Sequence, residues 1–391
     1  MLFAALYLAE GVPIGFIWWA LPPVLRARDV AVEEITALTA AVTIPWVLKF
    51  LAGPLIDASR AYGVRSTSWI VVCQTLMGLA LLPLTSIDLV DGYQVLFACL
   101  VTHAIFAATQ DVAIDALAIR SVPAEELGRI SGVMQAGMTV GRAATAAAVP
   151  LLIGAVSQQA AVLAVVAMIW LPLALLVLAS REPKPDGLER RAPRAAFNWA
   201  FLTDRRLWIA AGIALTVAAG FEAVGALAGP LLVDAGSSTG AIALFYGLSA
   251  PAALLAGALA GGYAADRFGA ARTVVVAVVL VAATIGVAAW LALTSADGPS
   301  LRWHVALPVV YLGAGLLIAS SYALFMQVSR GESSATRFSA LMAMTNACEA
   351  WAAFVAGRLV GVGGYATAFA ALALASLVSL PLLRQIKSTK E

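Results

Sequence analysis

Twelve apolar stretches, each about 20 residues long, follow one another with short polar loops between most of them. A helix rises about 1.5 Å per residue, so each stretch can cross roughly 30 Å of hydrocarbon. In lipid every backbone N–H and C=O must be paired within the chain, so a continuous apolar run crosses as an α-helix. A membrane β-barrel would instead alternate apolar and polar residues in short segments. Only 12% of the residues are charged and 62% are hydrophobic, whereas a soluble domain carries about 25% charge. The expected class is an all-α polytopic membrane protein held in a lipid bilayer. The spans are expected at about residues 2–25, 35–56, 67–86, 93–119, 128–155, 158–180, 207–233, 240–264, 272–294, 304–328, 338–361 and 364–383.

The long loop between the sixth and seventh spans is REPKPDGLERRAPRAAFNWAFLTDRR, residues 181–206. It is charged and proline-bearing, and too short to bury a core of its own. It divides the chain into two bundles of six helices, residues 1–180 and 207–391. Arg60, Arg65, Arg120, Arg129, the linker basics, Arg267, Arg272, Arg330, Arg337 and Arg384 fall on one side. Arg26, Arg28 and Arg302 fall on the other, with Asp29, Glu33, Glu34, Asp88, Asp91, Asp234 and Asp297. Positive residues mark the cytoplasmic face, so linker and both termini are expected inside, in a cell's inner membrane. The chain enters its first apolar segment almost at Met1, without a basic n-region or cleavage site; a short basic leader upstream is expected. Cys73, Cys99 and Cys348 all lie in apolar runs, which reads as core packing and not as disulfides. With only His103 and His304 present, no histidine metal site and no cofactor is expected. The basic residues are loop-confined, so nucleic acid is not an expected partner.

Polar groups inside the spans carry the functional signal. Asp111 and Asp115 sit one helical turn apart within YQVLFACLVTHAIFAATQDVAIDALAIR. A carboxylate at mid-membrane costs roughly 2.5–3.5 kcal/mol on insertion scales, so it survives facing a wet cavity, paired with a cation, or protonated. Residues i and i+4 share a face, and Gln110 and His103 lie on or beside it. One stripe of one helix thus reads as a polar pathway.

The halves also repeat each other. Gly53-xxx-Asp57 after the second span aligns with Gly262-xxx-Asp266 after the eighth. Glycine there is expected to let a helix end approach its neighbour, and aspartate to cap a helix or pair across a cytoplasmic gate. The second copy runs Gly262 to Arg272 and includes Arg267; the first has Ala58 where arginine is usual. This resembles the G-x-x-x-D-R-x-G-x-x-R loop motif of the major facilitator superfamily. LYLAEGVPIGFIWWALPPVLR, IPWVLKFLAGPLID, ATQDVAIDALAIRSVPAEELGRISGVMQAGMTVGR and SSATRFSALMA then follow in order. Together they resemble the muropeptide permease (AmpG-like) and acetyl-coenzyme A transporter family, which includes siderophore importers. The likeness covers the whole chain, most densely Tyr7 to Arg142. It implies a major facilitator fold of two six-helix bundles, with spans 1, 4, 7 and 10 lining a cavity and a monomer as the working unit.

On that placement the candidate residues sort by depth. Glu10 lies about 12 Å, and Asp111 about 13 Å, from the cytoplasmic ends of spans 1 and 4. If the two approach, one takes up a proton readily, so Glu10, Asp111 and Asp115 are the candidate proton-coupling residues. A gating role for Glu10, and pairing of Asp115 with Arg120 or Arg129, are the alternative readings. Gln110 suits hydrogen bonding to a sugar or amide, or is a satisfied buried glutamine. His103 is a candidate solute contact or a packing residue. Arg142, about 20 Å into span 5, needs an anionic partner: Glu222, Glu349, or the solute. Trp18 and Trp19 belong to an aromatic belt, or stack a solute ring. Lys49 is expected to snorkel to the interface or pair with Asp57. Asp57, Asp266, Arg267, Arg272 and Lys49 form the candidate gate.

No nucleophile–base pair, metal cluster or phosphate-cradling loop is visible, so an enzyme is not expected. The expected function is a secondary active transporter importing a polar or anionic small molecule with protons. A muropeptide-like amino-sugar peptide is the favoured solute, with siderophores and acyl-coenzyme A as alternatives. A non-transporting receptor or scaffold is the reading from another class. Retained mid-membrane charges on several helices speak against it, since each is costly.

Overall fold

The computed structural model describes residues 2–60, 62–121, 127–179, 204–294, 301–329 and 334–388. The linker expected at 181–206 lies, up to residue 203, outside the described residues. Eleven apolar helical stretches are long enough to cross a membrane. They are spans 1 (Leu2–Arg26), 2 (Val32–Ile56), 3 (Ser66–Thr85), 4 (Tyr93–Ala118), 5 (Val133–Ala155), 6 (Gln158–Leu176), 7 (Arg205–Asp234), 8 (Thr239–Phe268), 9 (Ala270–Thr294) and 10 (Leu301–Val328), and a stretch Arg337–Ile386. The last is two helices. Gly363 and Gly364 leave helical geometry, with φ +72° at Gly364, a conformation that glycine adopts without steric cost. That makes spans 11 and 12 and completes twelve crossings. Large apolar side chains such as Leu171 and Leu293 are 70% and 73% exposed; in a membrane such surfaces face lipid.

Several spans are not uniform helices, and proline explains two of the irregularities. A prolyl ring clashes with the carbonyl four residues back and donates no hydrogen bond. Span 1 widens into a π-turn over Gly15–Ala20, just before Pro22 and Pro23. Span 8 does the same over Phe245–Ser249, before Pro251. Span 2 is α-helical to Val47, passes through Leu48 at φ −89° and ψ 0°, tightens into a 3-10 turn at Lys49–Leu51 and resumes at Ala52. Pro45, inside its first part, removes the helical bond to the carbonyl four residues back, upstream of this joint.

The described chain forms two compact units. One comprises Met1–Val24 and Leu48–Phe197, the other Leu25–Val47 and Asn198–Glu391. Within the first, spans 1 and 5 pack backbone to backbone. A Cβ on Gly11 or Gly15 would strike the Met138 or Arg142 carbonyl, and one on Gly137 or Gly141 the Ala4 or Leu8 carbonyl. Within the second, Gly257 and Gly261 of span 8 meet Leu312 and Leu316, and Gly315 of span 10 meets Leu254. Small residues permit this approach where lipid supplies no hydrophobic drive between helices. The expectation that Gly53 and Gly262 serve close approach is corrected. A Cβ on either would meet open space, and the tight contact sits one residue earlier and one turn before that, at Gly261 and Gly257.

Candidate functional site

The helix Tyr93–Ser121 keeps Asp111 and Asp115 on one face, and that face looks at span 1 and the joint of span 2. Tyr7 and Glu10 occupy adjacent turns of span 1. Both are buried, at 4% and 2% exposure, and Asp111 is 6% exposed. Tyr7 donates its hydroxyl to Asp115 Oδ1 at 2.7 Å and lies 3.3 Å from Asp111 Oδ1. Lys49 Nζ donates to Asp111 Oδ2 at 2.8 Å. Glu10 lies within electrostatic reach of Asp111, Asp115 and Lys49; its Oε2 has no hydrogen-bond partner. The cluster therefore gathers three carboxyl groups, a phenol and one ammonium from three spans. Two unit charges 4 Å apart interact by about 4 kcal/mol at an effective dielectric of 20. One ammonium can offset one carboxylate on that scale and not three.

Lys49 is not held by Asp57: its ammonium is on Asp111, 62 positions away. The side chains of Asp57, Arg120 and Arg129 lie outside the described residues. Tyr7 was not legible as a site residue, because a tyrosine in a membrane helix ordinarily marks the interface.

Gln110, next to Asp111, faces the other way. Its Nε2 donates to Gln74 Oε1 at 3.1 Å, and Gln74 Nε2 donates to the Ile169 carbonyl. Trp170 Nε1 donates to the Gln74 and Thr75 carbonyls. His103, fully buried, sets Nδ1 3.0 Å from the Met77 carbonyl and leaves Nε2 without a partner. The stripe read along span 4 thus divides: Asp111 and Asp115 meet spans 1 and 2, while Gln110 and His103 tie span 4 to span 3, which Gln74 joins to span 6.

Elsewhere in the first unit the Arg142 guanidinium lies 4.9 Å from the Trp19 ring centre. Trp18, its neighbour, is half-buried. In the second unit Glu222 and Glu349 line one cavity of about 90 Å³, with Ser321, Tyr322, Thr345 and Asn346. Ser321 Oγ is buried there without a hydrogen-bond partner. Three ionic contacts in this unit had no sequence signal beyond opposite charges near span ends. Arg26 Nε meets Asp234 Oδ1 at 2.6 Å, and Tyr365 donates to Asp234 Oδ2 at 2.6 Å. Arg358 meets Glu33 at 2.5 Å. Arg337, in the SSATR segment, pairs at 2.7 Å with Asp204, whose side chain also caps span 7 by accepting from Arg206 N–H.

A family model for the Major Facilitator Superfamily matches residues 3–311. The chain belongs to that superfamily. It is a multi-pass major-facilitator transporter. An uncharacterized protein of Haemophilus influenzae is 25% identical over 393 residues, covering 91% of this chain and 87% of that one. A Rickettsia felis protein, named as a candidate AmpG transporter (AmpG 4), is 21% identical over 373 residues, covering 92% and 89%. Among solved structures, the nucleoside transporter NupG (D323A mutant) superposes with TM-score 0.75 at 12% identity, covering 99% and 100%. A POT family transporter in complex with 5-aminolevulinic acid gives 0.74 at 11%, covering 98% and 96%. Both likenesses are of fold.

The major-facilitator loop motif takes a defined shape in its second copy. Asp266 and Arg267 are exposed at the end of span 8, Gly269 turns the chain at φ +89°, and Arg272 is exposed in the first turn of span 9. Asp57 occupies the matching helix end, Ala52–Arg60.

Proposed function

We propose that this chain is a proton-coupled importer of a polar or anionic small molecule, working by alternating access. The observation that carries the reading is the excess of carboxyl groups over cations: Glu10 and Asp111 are buried beside one lysine, and Asp115 stands at the exposed edge of the same cluster. Two carboxylates close together repel, which favours a proton on one of them, and Glu10 and Asp111 stand within electrostatic reach of each other. Proton entry and departure then change the charge of a site that lipid surrounds, and that change can bias a two-state equilibrium.

Arg142 and Trp18 are the proposed solute contacts of the first unit, with Gln110 and His103 as support beneath the coupling acids, and Glu222 and Glu349 are those proposed for the second. A muropeptide-like amino-sugar peptide is favoured on the likeness to the AmpG relative. The moving bodies are proposed to be residues 1–180 and 207–391. Residues 25–47 belong to the first by chain order yet pack with the second unit, as a segment that changes partners would. The protein is proposed to work as a monomer in the inner membrane with both termini cytoplasmic, a reading supported by the distribution of its basic loops.

The test is uptake into proteoliposomes with an imposed pH gradient, against a panel of muropeptides, siderophores and acyl-coenzyme A. Accumulation driven by the gradient, and collapsed by a protonophore, is expected for one class. Downhill flux indifferent to the gradient would remove the proton from the mechanism. No flux of any panel member, with specific binding retained, would favour the receptor reading.

A further inference from the structure

Span 2 is divided near its middle between the two compact units, whereas span 1 gives up only its last two residues, Leu25 and Arg26, to the second. The first part of span 2, Val32–Val47, belongs to the second unit and its remainder, from Leu48, to the first. Each part is held by a different kind of contact. The first part packs on span 11. Thr36, fully buried, fills the space where a Cβ on Gly357 would stand, and Glu33 meets Arg358. Asn346 Nδ2 donates to the Trp46 carbonyl at 3.1 Å, just before the joint. The remainder is fastened to span 4 by Lys49, the first residue of the 3-10 turn, through Asp111.

We propose that Lys49 is the positioning residue that links protonation of the carboxyl cluster to the movement of span 2. With Asp111 ionised, Lys49 pins the joint to span 4, and the outer part of the span stays on span 11. A proton on Asp111 removes the charge that holds the ammonium. The joint then loses its anchor, and the span is free to move as one rod, withdrawing its outer part from span 11. One feature makes the joint suited to this: only a single 3-10 turn, entered through Leu48 at φ −89° and ψ 0°, separates the two helical parts. The groups that face the ammonium are Asp111 and Asp115 from span 4 and Tyr7 and Glu10 from span 1. The inference rests on the proton-coupled reading above, and its test does not require transport.

The experiment labels a Thr36→Cys variant with a water-soluble maleimide in nanodiscs, over pH 5 to 8. The three native cysteines are buried, and the parent protein gives their background rate. Slow labelling at pH 8 is expected, and faster labelling in acid as the cluster takes up protons. Asp111→Asn and Lys49→Met should each label fast at every pH, and their combination no faster than either alone, because both remove one interaction. Lys49→Arg should keep the pH response. Slow labelling of Asp111→Asn at pH 8 would overturn the proposal, as would an unchanged acid response in Lys49→Met. If Lys49→Met does not fold, Asp111→Asn alone decides, since asparagine is nearly isosteric with the protonated acid. Gradient-driven uptake with pH-blind labelling would sink the role of Lys49 and leave proton coupling standing; uptake indifferent to the gradient would sink the coupling itself.

Discussion

At the scale of single residues the cluster is organised by scarcity of positive charge. Removing one partner of a buried ion pair costs about 3–5 kcal/mol, mainly through the charge left behind. Asp111→Asn avoids most of that, because the exposed side of Lys49 can turn to water or to Asp115. The expected outcome is loss of concentrative uptake, to below about a tenth of the parent, with solute counterflow retained. Parallel measurement of accumulation and counterflow checks it. Tyr7→Phe removes a donor shared by two carboxylates, worth about 1.5–3 kcal/mol when the acceptor is charged. Losing that donor should change the pH dependence of uptake relative to the parent; a pH titration of initial rates decides it. Asp111 and Asp115 were legible in the sequence because a carboxylate in an apolar run has few physical excuses. Lys49 was legible only as a charge near an interface. Its partner depends on where span 2 breaks, and that is a matter of tertiary packing which residue spacing does not carry. Gln74 and Tyr7 were silent for the same reason: their partners come from other spans.

At the scale of elements the helix pairs differ in what holds them. The pairing of spans 1 and 5 relies on four glycines set against backbone. A single added methyl at Gly141 would enter the space of the Leu8 carbonyl, and overpacking of this kind typically costs about 1–3 kcal/mol. Gly141→Ala is therefore expected to lower the detergent melting temperature, and Gly141→Leu to abolish a monodisperse product in size-exclusion chromatography. Gly53→Ala, facing open space, should do neither. The contact between Arg26 and Asp234 is of another sort. Both side chains are 28% exposed, so the pair is worth roughly 0.2–1 kcal/mol, although Tyr365 adds a second donor to the same carboxylate. Arg26→Asp or Asp234→Arg alone should slow turnover or change its salt dependence, and the charge-swapped double variant should recover most of the parent rate. Recovery is read from a double-mutant cycle on initial uptake rates.

At the scale of the whole molecule the class of fold was almost fully written in the sequence. Span length, the apolar runs and the linker dictated twelve helices, and the structure departs mainly at the ends and joints. The twelfth crossing is set off by Gly363 and Gly364 rather than by a loop. If residues 1–180 and 207–391 move as the two bodies, reporter fusions after Gln158 and after Ser388 should place those positions on opposite sides of the membrane. Both reporters on one side would end that topology. The glycine seams carry a further consequence. Counted within its own half, the tightest pair is the first and fifth helix on one side of the linker, and the second and fourth on the other. The close backbone seams thus lie between different helices on the two sides of the linker. The same push, delivered to corresponding helices, meets a rigid couple in one half and a compliant one in the other. Substitutions transferred by position from Gly141 to the later helices should not be expected to do equal damage, because the backbone there is crowded between a different pair of helices.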